Sequence, residues 1–512
     1  MKDSNLADWL LQHLHGEGAM NRQLHDLLLR AVLQGQLAAG SKLPSTRWLA
    51  QQLGVARNTV IDAYDNLLAQ GCLITRAGSG SYVAEVEREP PLGLGRAGAH
   101  KALAPAAPAL SRRGSALLAQ AGVSARQWGA FMPGVPDVTE FPVRTWLRLH
   151  NRRWHEANRP ERLSYAPGGG LPELREALAE HLRVARSVQC TAEQIIITSG
   201  SHQAVDLVAR LLTDPGDQVW LEEPCYWGLR STLQSLSLRT LAQPVDAEGL
   251  SWPGRFKGAA PAAPRLVLAT PSHQYPLGMV MSLARRQQLL EHCRQHGSWI
   301  VEDDYDSEFR FGTRPIASLQ GLDGGDRVLY VGSFSKTLFP GLRLGYLVVP
   351  KALAAPFAKA SAELYREGQL QQQATLADFI REGHLGNHVR RMRTLYGKRR
   401  ECLLAAVQSN FGAALPVLGD NAGLHLVLQL PAGSDDRRIE ASAAAAGIAV
   451  RALSSYYSDP ALAQPGLLLG YACVPEARIA PAFGTLAEVL RRELTRAAAR
   501  SVPHRRRPIG GP

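Results

Sequence analysis

The sequence predicts an α/β protein in two parts. A winged helix-turn-helix comes first, and a larger domain with a mostly parallel sheet and a smaller C-terminal lobe follows. Three observations predict this. Two short amphipathic helices near the N-terminus are joined by a turn at Gly54 and followed by two strand-like runs around a Gly-rich tip. From Ile195 onward, apolar runs alternate with helical segments, the pattern of strands buried between helices. Two of those runs, Trp299-Ile300-Val301-Glu302-Asp303-Asp304 and Val328-Leu329-Tyr330-Val331, end in polar residues suited to chemistry rather than packing.

The 512 residues exceed one ordinary domain and carry a formal charge of +12, which permits an anionic partner. Part of the excess is local, in Arg505-Arg506-Arg507. The six cysteines are scattered, without metal-ligand or redox spacing, so free thiols in a reducing compartment are expected and no metal is. The N-terminus has no apolar signal core and no stretch is apolar enough to span a bilayer, so the expected location is cytoplasmic, without a membrane partner.

Taken in order, residues 21 to 39 show helical periodicity, with Leu24, Leu27, Leu28, Ala31 and Val32 on one face. The next helix has Ser45 as its expected N-cap and Gly54 as its C-cap. A further helix spans about Ala56 to Gln70, with Val60, Ala63, Tyr64 and Leu67 inside. Cys72–Val83 reads as two strands around a Gly-rich wing. Arg57, Asn58 and Thr59 open the second helix of the pair, where a recognition helix meets base edges. Ser45 and Arg47 open the first and suit a DNA phosphate, and Arg76 lies at the wing. Together, Leu43-Pro44-Ser45-Thr46-Arg47 and Leu53-Gly54-Val55-Ala56-Arg57-Asn58-Thr59-Val60 resemble the GntR-type winged helix over about Leu24 to Val83. That resemblance implies a double-stranded DNA operator. Members usually carry Ser at the place of Ala56, so one N-cap and one phosphate contact are missing here.

The expected boundaries are 1–84 for this module, 85–127 for an Ala/Gly/Pro-rich linker, 128–500 for the larger domain and 501–512 for a basic tail. One short helix is expected within the linker, at Ala116-Leu117-Leu118. In the larger domain, the strand Ile195-Ile196-Ile197-Thr198 leads into Gly200, Ser201 and His202 at a helix start, a phosphate cradle of backbone N–H groups.

Lys336 follows the strand at Val328-Leu329-Tyr330-Val331. A lysine there is costly to desolvate and is suited to a Schiff base, for which pyridoxal phosphate is the common aldehyde. Ser333, Ser335 and Arg343 are the residue types that hold a phosphate beside it. A carboxylate after the preceding strand would keep the ring nitrogen protonated, and Asp303 and Asp304 compete for that place.

These residues resemble those of the fold-type I aminotransferases. By that match Lys336 carries the cofactor, Asp303 faces the ring nitrogen, Tyr305 the ring hydroxyl, and Tyr226 stacks on the ring. Where relatives carry Asn before Pro-Thr-Gly, this chain has Tyr275-Pro276-Leu277-Gly278, with His273 or Gln274 as substitutes for the amide. Leu467 stands where enzymes place the arginine that clamps a substrate carboxylate, with Arg230 or Arg451 as stand-ins. The whole chain, linker and tail excepted, resembles the MocR/GabR family of bacterial regulators. The family implies a head-to-tail homodimer in which Tyr165 reaches the phosphate of the neighbouring subunit. It also implies DNA binding modulated by pyridoxal phosphate or by an amine or amino-acid effector. The alternative is a working aminotransferase with an appended DNA-binding head.

Overall fold

The computed structural model describes residues 3–14, 18–85, 110–119, 128–156, 159–252, 263–312 and 317–501. Residues 86–109 and 120–127 of the expected linker, and 502–512 with the arginine cluster, lie outside the described residues. The chain divides into two units between Pro108 and Ala109. No helix among the described residues is long and apolar enough to cross a membrane.

In the first unit, α1 (Asp3–His13), α2 (Met20–Leu33), α3 (Thr46–Leu53) and α4 (Arg57–Ala69) precede an antiparallel wing of β1 (Leu73–Arg76) and β2 (Gly80–Val83). Its core joins Leu6 and Leu10 of α1 to Leu24, Leu28, Leu49, Val60 and Leu67. The sequence reading had no α1. It also ran the helix at residue 21 on to 39, whereas α2 stops at Leu33 because Gly35 turns left-handed at φ 76°. Ser45 caps α3 by accepting from the Trp48 N–H at 3.2 Å, and Gly54 ends it in the left-handed region. Tyr64 of α4 donates to the Pro44 carbonyl at 3.0 Å and pins α4 to the start of α3.

The second unit is built on eight strands: β3 (Ile195–Thr198), β4 (Gln218–Glu223), β5 (Arg239–Asp246), β6 (Gly249–Leu250), β7 (Leu266–Ala269), β8 (Trp299–Asp304), β9 (Val328–Ser333) and β10 (Gly345–Val348). Their order is β3-β10-β9-β8-β7-β4-β5-β6. The run β9-β8-β7-β4-β5 is parallel, and β10 is antiparallel to both β9 and β3. Helices cover both faces, so the strands read as continuous apolar runs: Ile196 packs on one side, Ile195 and Ile197 on the other. The smaller lobe holds an antiparallel sheet of β11 (Val417–Leu418), β12 (His425–Gln429), β13 (Arg451–Ala452) and β14 (Gly466–Gly470), in the order β11-β12-β14-β13. The helices His384–Phe411 and Glu476–Ser501 contribute to its core. A helix, Arg112–Ala119, forms where the short helix at Ala116-Leu117-Leu118 is expected.

Candidate functional site

Because β3, β4, β7, β8 and β9 point the same way, the loops that follow them meet at one edge of the sheet. A cavity of about 670 Å³ opens there, lined by Gly200, Ser201, His202, Tyr226, Asp303, Tyr305, Ser333, Ser335, Lys336 and Arg343. These ten sequence-named residues come from four separate strand ends. Tyr165 is not among them; it is 83 % exposed.

The Lys336 Nζ donates to the Gly134 carbonyl at 2.6 Å. Burial lowers its pKa, against the pull of Asp306 and Asp303. Asp303 and Asp304 separate by strand alternation. Asp303 lines the cavity, and its Oδ1 is buried without a hydrogen-bond partner among the described residues. Asp304 Oδ2 instead accepts from Arg186 Nε at 2.7 Å and from the Tyr330 hydroxyl, away from the cavity. Burial, reinforced by Asp304, Asp306 and Glu222, pushes Asp303 up to about 7.

Gly200 holds a φ of 121° before the helix Ser201–Leu212. A Cβ there would lie 3.5 Å from the Arg343 guanidinium, so the bare backbone leaves a recess between helix start and arginine. Gly345, the first residue of β10, backs onto it: a Cβ on Gly345 would come within 2.9 Å of Gly200 Cα. Ser333 Oγ accepts from the Ser335 N–H at 3.1 Å. Burial, with Arg343 nearby, lowers the His202 pKa. Tyr226 lies edge-on to His202, with ring centroids 5.4 Å apart, and its hydroxyl is 3.2 Å from His202 Nε2.

These residues fit a phosphopyridine aldehyde. A phosphate suits the glycine recess beside Arg343, a protonated ring nitrogen suits the unpartnered Asp303 oxygen, and an aldehyde suits Lys336.

Several lining residues escaped the sequence reading. Tyr275, not His273 or Gln274, reaches the cavity, and its hydroxyl is 3.1 Å from that of Tyr456. Gln274 turns away and donates to the Pro224 carbonyl at 2.8 Å. Glu222 lines the cavity beside Thr270, whose hydroxyl and N–H both donate to it, and burial pushes it up to about 7. The signal was present: Glu222-Glu223 ends an apolar run as Asp303-Asp304 does. Leu467 is fully buried in β14, paired with Leu428 and Ala452. Arg230 is also withdrawn, donating to the Tyr456 carbonyl at 2.7 Å and lying 3.5 Å from Glu223. Arg451 lines the cavity, with one arm on Glu440 at 3.1 Å.

In the first unit, Ser45, Arg47, Arg57, Asn58 and Arg76 are exposed and Thr59 is half-buried. Arg57 Nε reaches Thr46 Oγ1 at 3.5 Å, so the starts of α3 and α4 are neighbours. Arg76 lies over the Tyr82 ring at 4.5 Å. Ala56 holds N-cap backbone angles but offers no side-chain acceptor.

Residues 20–83 match the bacterial regulatory proteins of the gntR family, and 135–485 match aminotransferase class I and II. The chain is 40 % identical over 462 residues to the probable rhizopine catabolism regulatory protein MocR of Rhizobium meliloti, covering 88 % of this chain and 90 % of that one. It is 31 % identical over 462 residues to the pyridoxine biosynthesis transcriptional regulator PdxR of Corynebacterium glutamicum, covering 89 % and 93 %. Among solved structures it resembles the α-aminoadipate aminotransferase LysN of Thermus thermophilus, at 26 % identity and a TM-score of 0.67, over 75 % of this chain and all of that one. That structure holds N-(5'-phosphopyridoxyl)-L-leucine. The gntR-type domain implies DNA binding, and the class I and II aminotransferase fold implies dependence on pyridoxal phosphate. The chain belongs to the MocR-type transcriptional regulators, in which a gntR-family helix-turn-helix domain is joined to a class I and II aminotransferase domain.

Proposed function

We propose that this regulator takes pyridoxal phosphate in the cavity of its larger unit. Its DNA binding then changes when the cofactor, or an amine or amino acid reacting with it, is held there. The observation that carries the reading is the convergence of Lys336 and Asp303 on one cavity from the ends of two neighbouring strands.

When bound, the cofactor supplies an aldehyde that an amine can capture and a ring that draws electrons. The chain does the rest. Lys336 offers the amine, and burial raises its neutral, nucleophilic fraction. Asp303 holds a proton at the ring nitrogen. Tyr305 meets the ring hydroxyl and Tyr226 covers a ring face. Arg343, Ser333, Ser335 and the N–H groups opening the helix at Ser201 bind the phosphate. Tyr165, exposed and outside this cavity, suits the phosphate of a second subunit in a head-to-tail dimer. In such a dimer two winged helices read two half-sites, Arg57, Asn58 and Thr59 at base edges and Ser45, Arg47 and Arg76 on the backbone. An occupant changes DNA binding only if it favours one arrangement of heads and bodies over another; a tenfold change needs a difference of about 1.4 kcal/mol.

The intact set of cavity residues also keeps a second reading, a working aminotransferase. One experiment separates them. The full chain is titrated on a DNA fragment it has selected in vitro, with and without pyridoxal phosphate, and the adduct is trapped with borohydride. We expect an affinity shift and an adduct at Lys336, both lost in Lys336→Ala. Steady turnover of an amino acid with a keto acid and no affinity shift would favour the enzyme. Colourless protein without an adduct would end both readings.

A further inference from the structure

Behind Tyr305 lies a buried imidazole that the proposed function does not use. His273 is 1 % exposed and does not line the cavity. Its Nδ1 is 2.9 Å from the Tyr305 hydroxyl and 3.0 and 3.1 Å from the two Asp306 oxygens. Two left-handed glycines make its slot. A Cβ on Gly278 would lie 3.1 Å from Nε2, and one on Gly423 would overlap the imidazole and lie 2.6 Å from Asp306.

The partners decide where the proton is. A carboxylate only accepts, so a neutral His273 beside Asp306 carries its proton on Nδ1. That nitrogen donates to Asp306 and towards the Tyr305 oxygen, and has no lone pair to offer. Nε2 is then bare, in keeping with its having no partner among the described residues. His425 is fixed in a related way: its Nε2 faces the Pro276 carbonyl at 2.9 Å, which leaves Nδ1 bare. On this side, therefore, His273 offers the Tyr305 hydroxyl a hydrogen and no acceptor. Its own proton is then free to point the other way.

We propose that His273, oriented by Asp306, is a positioning residue that commits the Tyr305 hydroxyl to donate into the cavity, onto the ring oxygen of pyridoxal phosphate. This rests on the cofactor reading given above. Donation favours the deprotonated ring oxygen over the protonated one. The titratable and charged groups facing these residues are Asp303 and Asp306 beside Tyr305, Glu222 from β4, Tyr275 from the loop after β7, His425 from β12, and, around Asp306, Lys336, Glu308, Arg310 and Tyr471. Each is kept in the comparison below, apart from Asp306 where it is itself replaced.

Two measurements on the full-length protein test it. In the loaded protein, the pH midpoint of the visible absorbance is followed in the wild type, His273→Leu and Asp306→Asn. We expect both variants to move the midpoint up by about one pH unit, the scale of a lost hydrogen bond to a charged oxygen. We expect neither to move it further in a Tyr305→Phe background. Unchanged midpoints in coloured variants would overturn the proposal. In the cofactor-free wild type, ¹⁵N resonances of labelled histidine report the tautomer directly. A proton on Nδ1 of His273 is expected, and a proton on Nε2 overturns the proposal even if the variants fail to fold. A wild type that never colours would sink the cofactor reading and with it the ring oxygen as acceptor, while the tautomer still decides whether His273 orients Tyr305.

Discussion

Asp303 and Asp304 are consecutive residues of β8 that serve opposite sides of it: one lines the cavity, the other closes a buried pair with Arg186 at 2.7 Å. Neutralising Asp304 would leave Arg186, itself buried, without its counter-charge. We expect Asp304→Asn to cost the larger unit about 3–5 kcal/mol, read from denaturant unfolding of the cofactor-free protein. Asp303→Asn should not lower that transition, and should weaken cofactor binding instead. Equal effects of the two changes on stability would contradict the assignment.

The raised pKa of Asp303 gives stability a pH dependence with a definite sign. The folded protein holds this proton up to about 7, whereas the unfolded chain releases it near about 4. Between those values the native state binds more protons, so stability falls as pH rises, and above the folded value the loss is complete. In Asp303→Asn the slope across that window should become less negative by up to about 1.4 kcal/mol per pH unit. Parallel stability–pH curves for the two cofactor-free proteins would show that Asp303 does not titrate there.

The two helices of the DNA-binding pair start differently. Ser45 caps α3, whereas Ala56 has the backbone of a cap and no acceptor. Ala56→Ser should therefore stabilise the first unit, and Ser45→Ala destabilise it, each by about 1 kcal/mol. Thermal unfolding of the full chain, followed through Trp48, reads both. Identical transitions in all three proteins would rule out the capping argument.

Leu467 is sealed in β14 and Arg230 is held by Tyr456 and Glu223, so Arg451 is the arginine of these three that faces the cavity. For an effector bearing a carboxylate, Arg451→Gln should weaken the spectral response to added amino acids by about tenfold or more and leave cofactor affinity unchanged. An unchanged response would mean that no carboxylate is clamped there, as suits a sensor of the cofactor alone.

Much of this was legible in the sequence, because strands buried on both faces must be apolar and end abruptly. Ile195–Thr198, Trp299–Asp304 and Val328–Val331 announced themselves that way, and the polar residues after them marked the cavity edge. Choosing Asp303 over Asp304 by residue type alone was not possible, since the choice depends on Arg186, more than a hundred residues earlier. Tyr275 and Tyr456 meet only through the packing of the small lobe against the large one. His273 was read as a substitute contact for the ring hydroxyl. It stands one layer further back because Gly278 and Gly423 open a slot for it there. α1 was missed because its two core leucines, Leu6 and Leu10, make only one turn's worth of periodicity.

Gly345 pressed against Gly200 splints the anion recess to the lysine-bearing loop through a single intervening strand. A side chain at Gly345 would force that seam apart. Under the proposed regulation, a bound ligand would be felt at the rest of the lining, where Gly134, Arg451 and Tyr456 belong to segments outside the eight-stranded sheet. One flank is thus the anvil and the other the hammer.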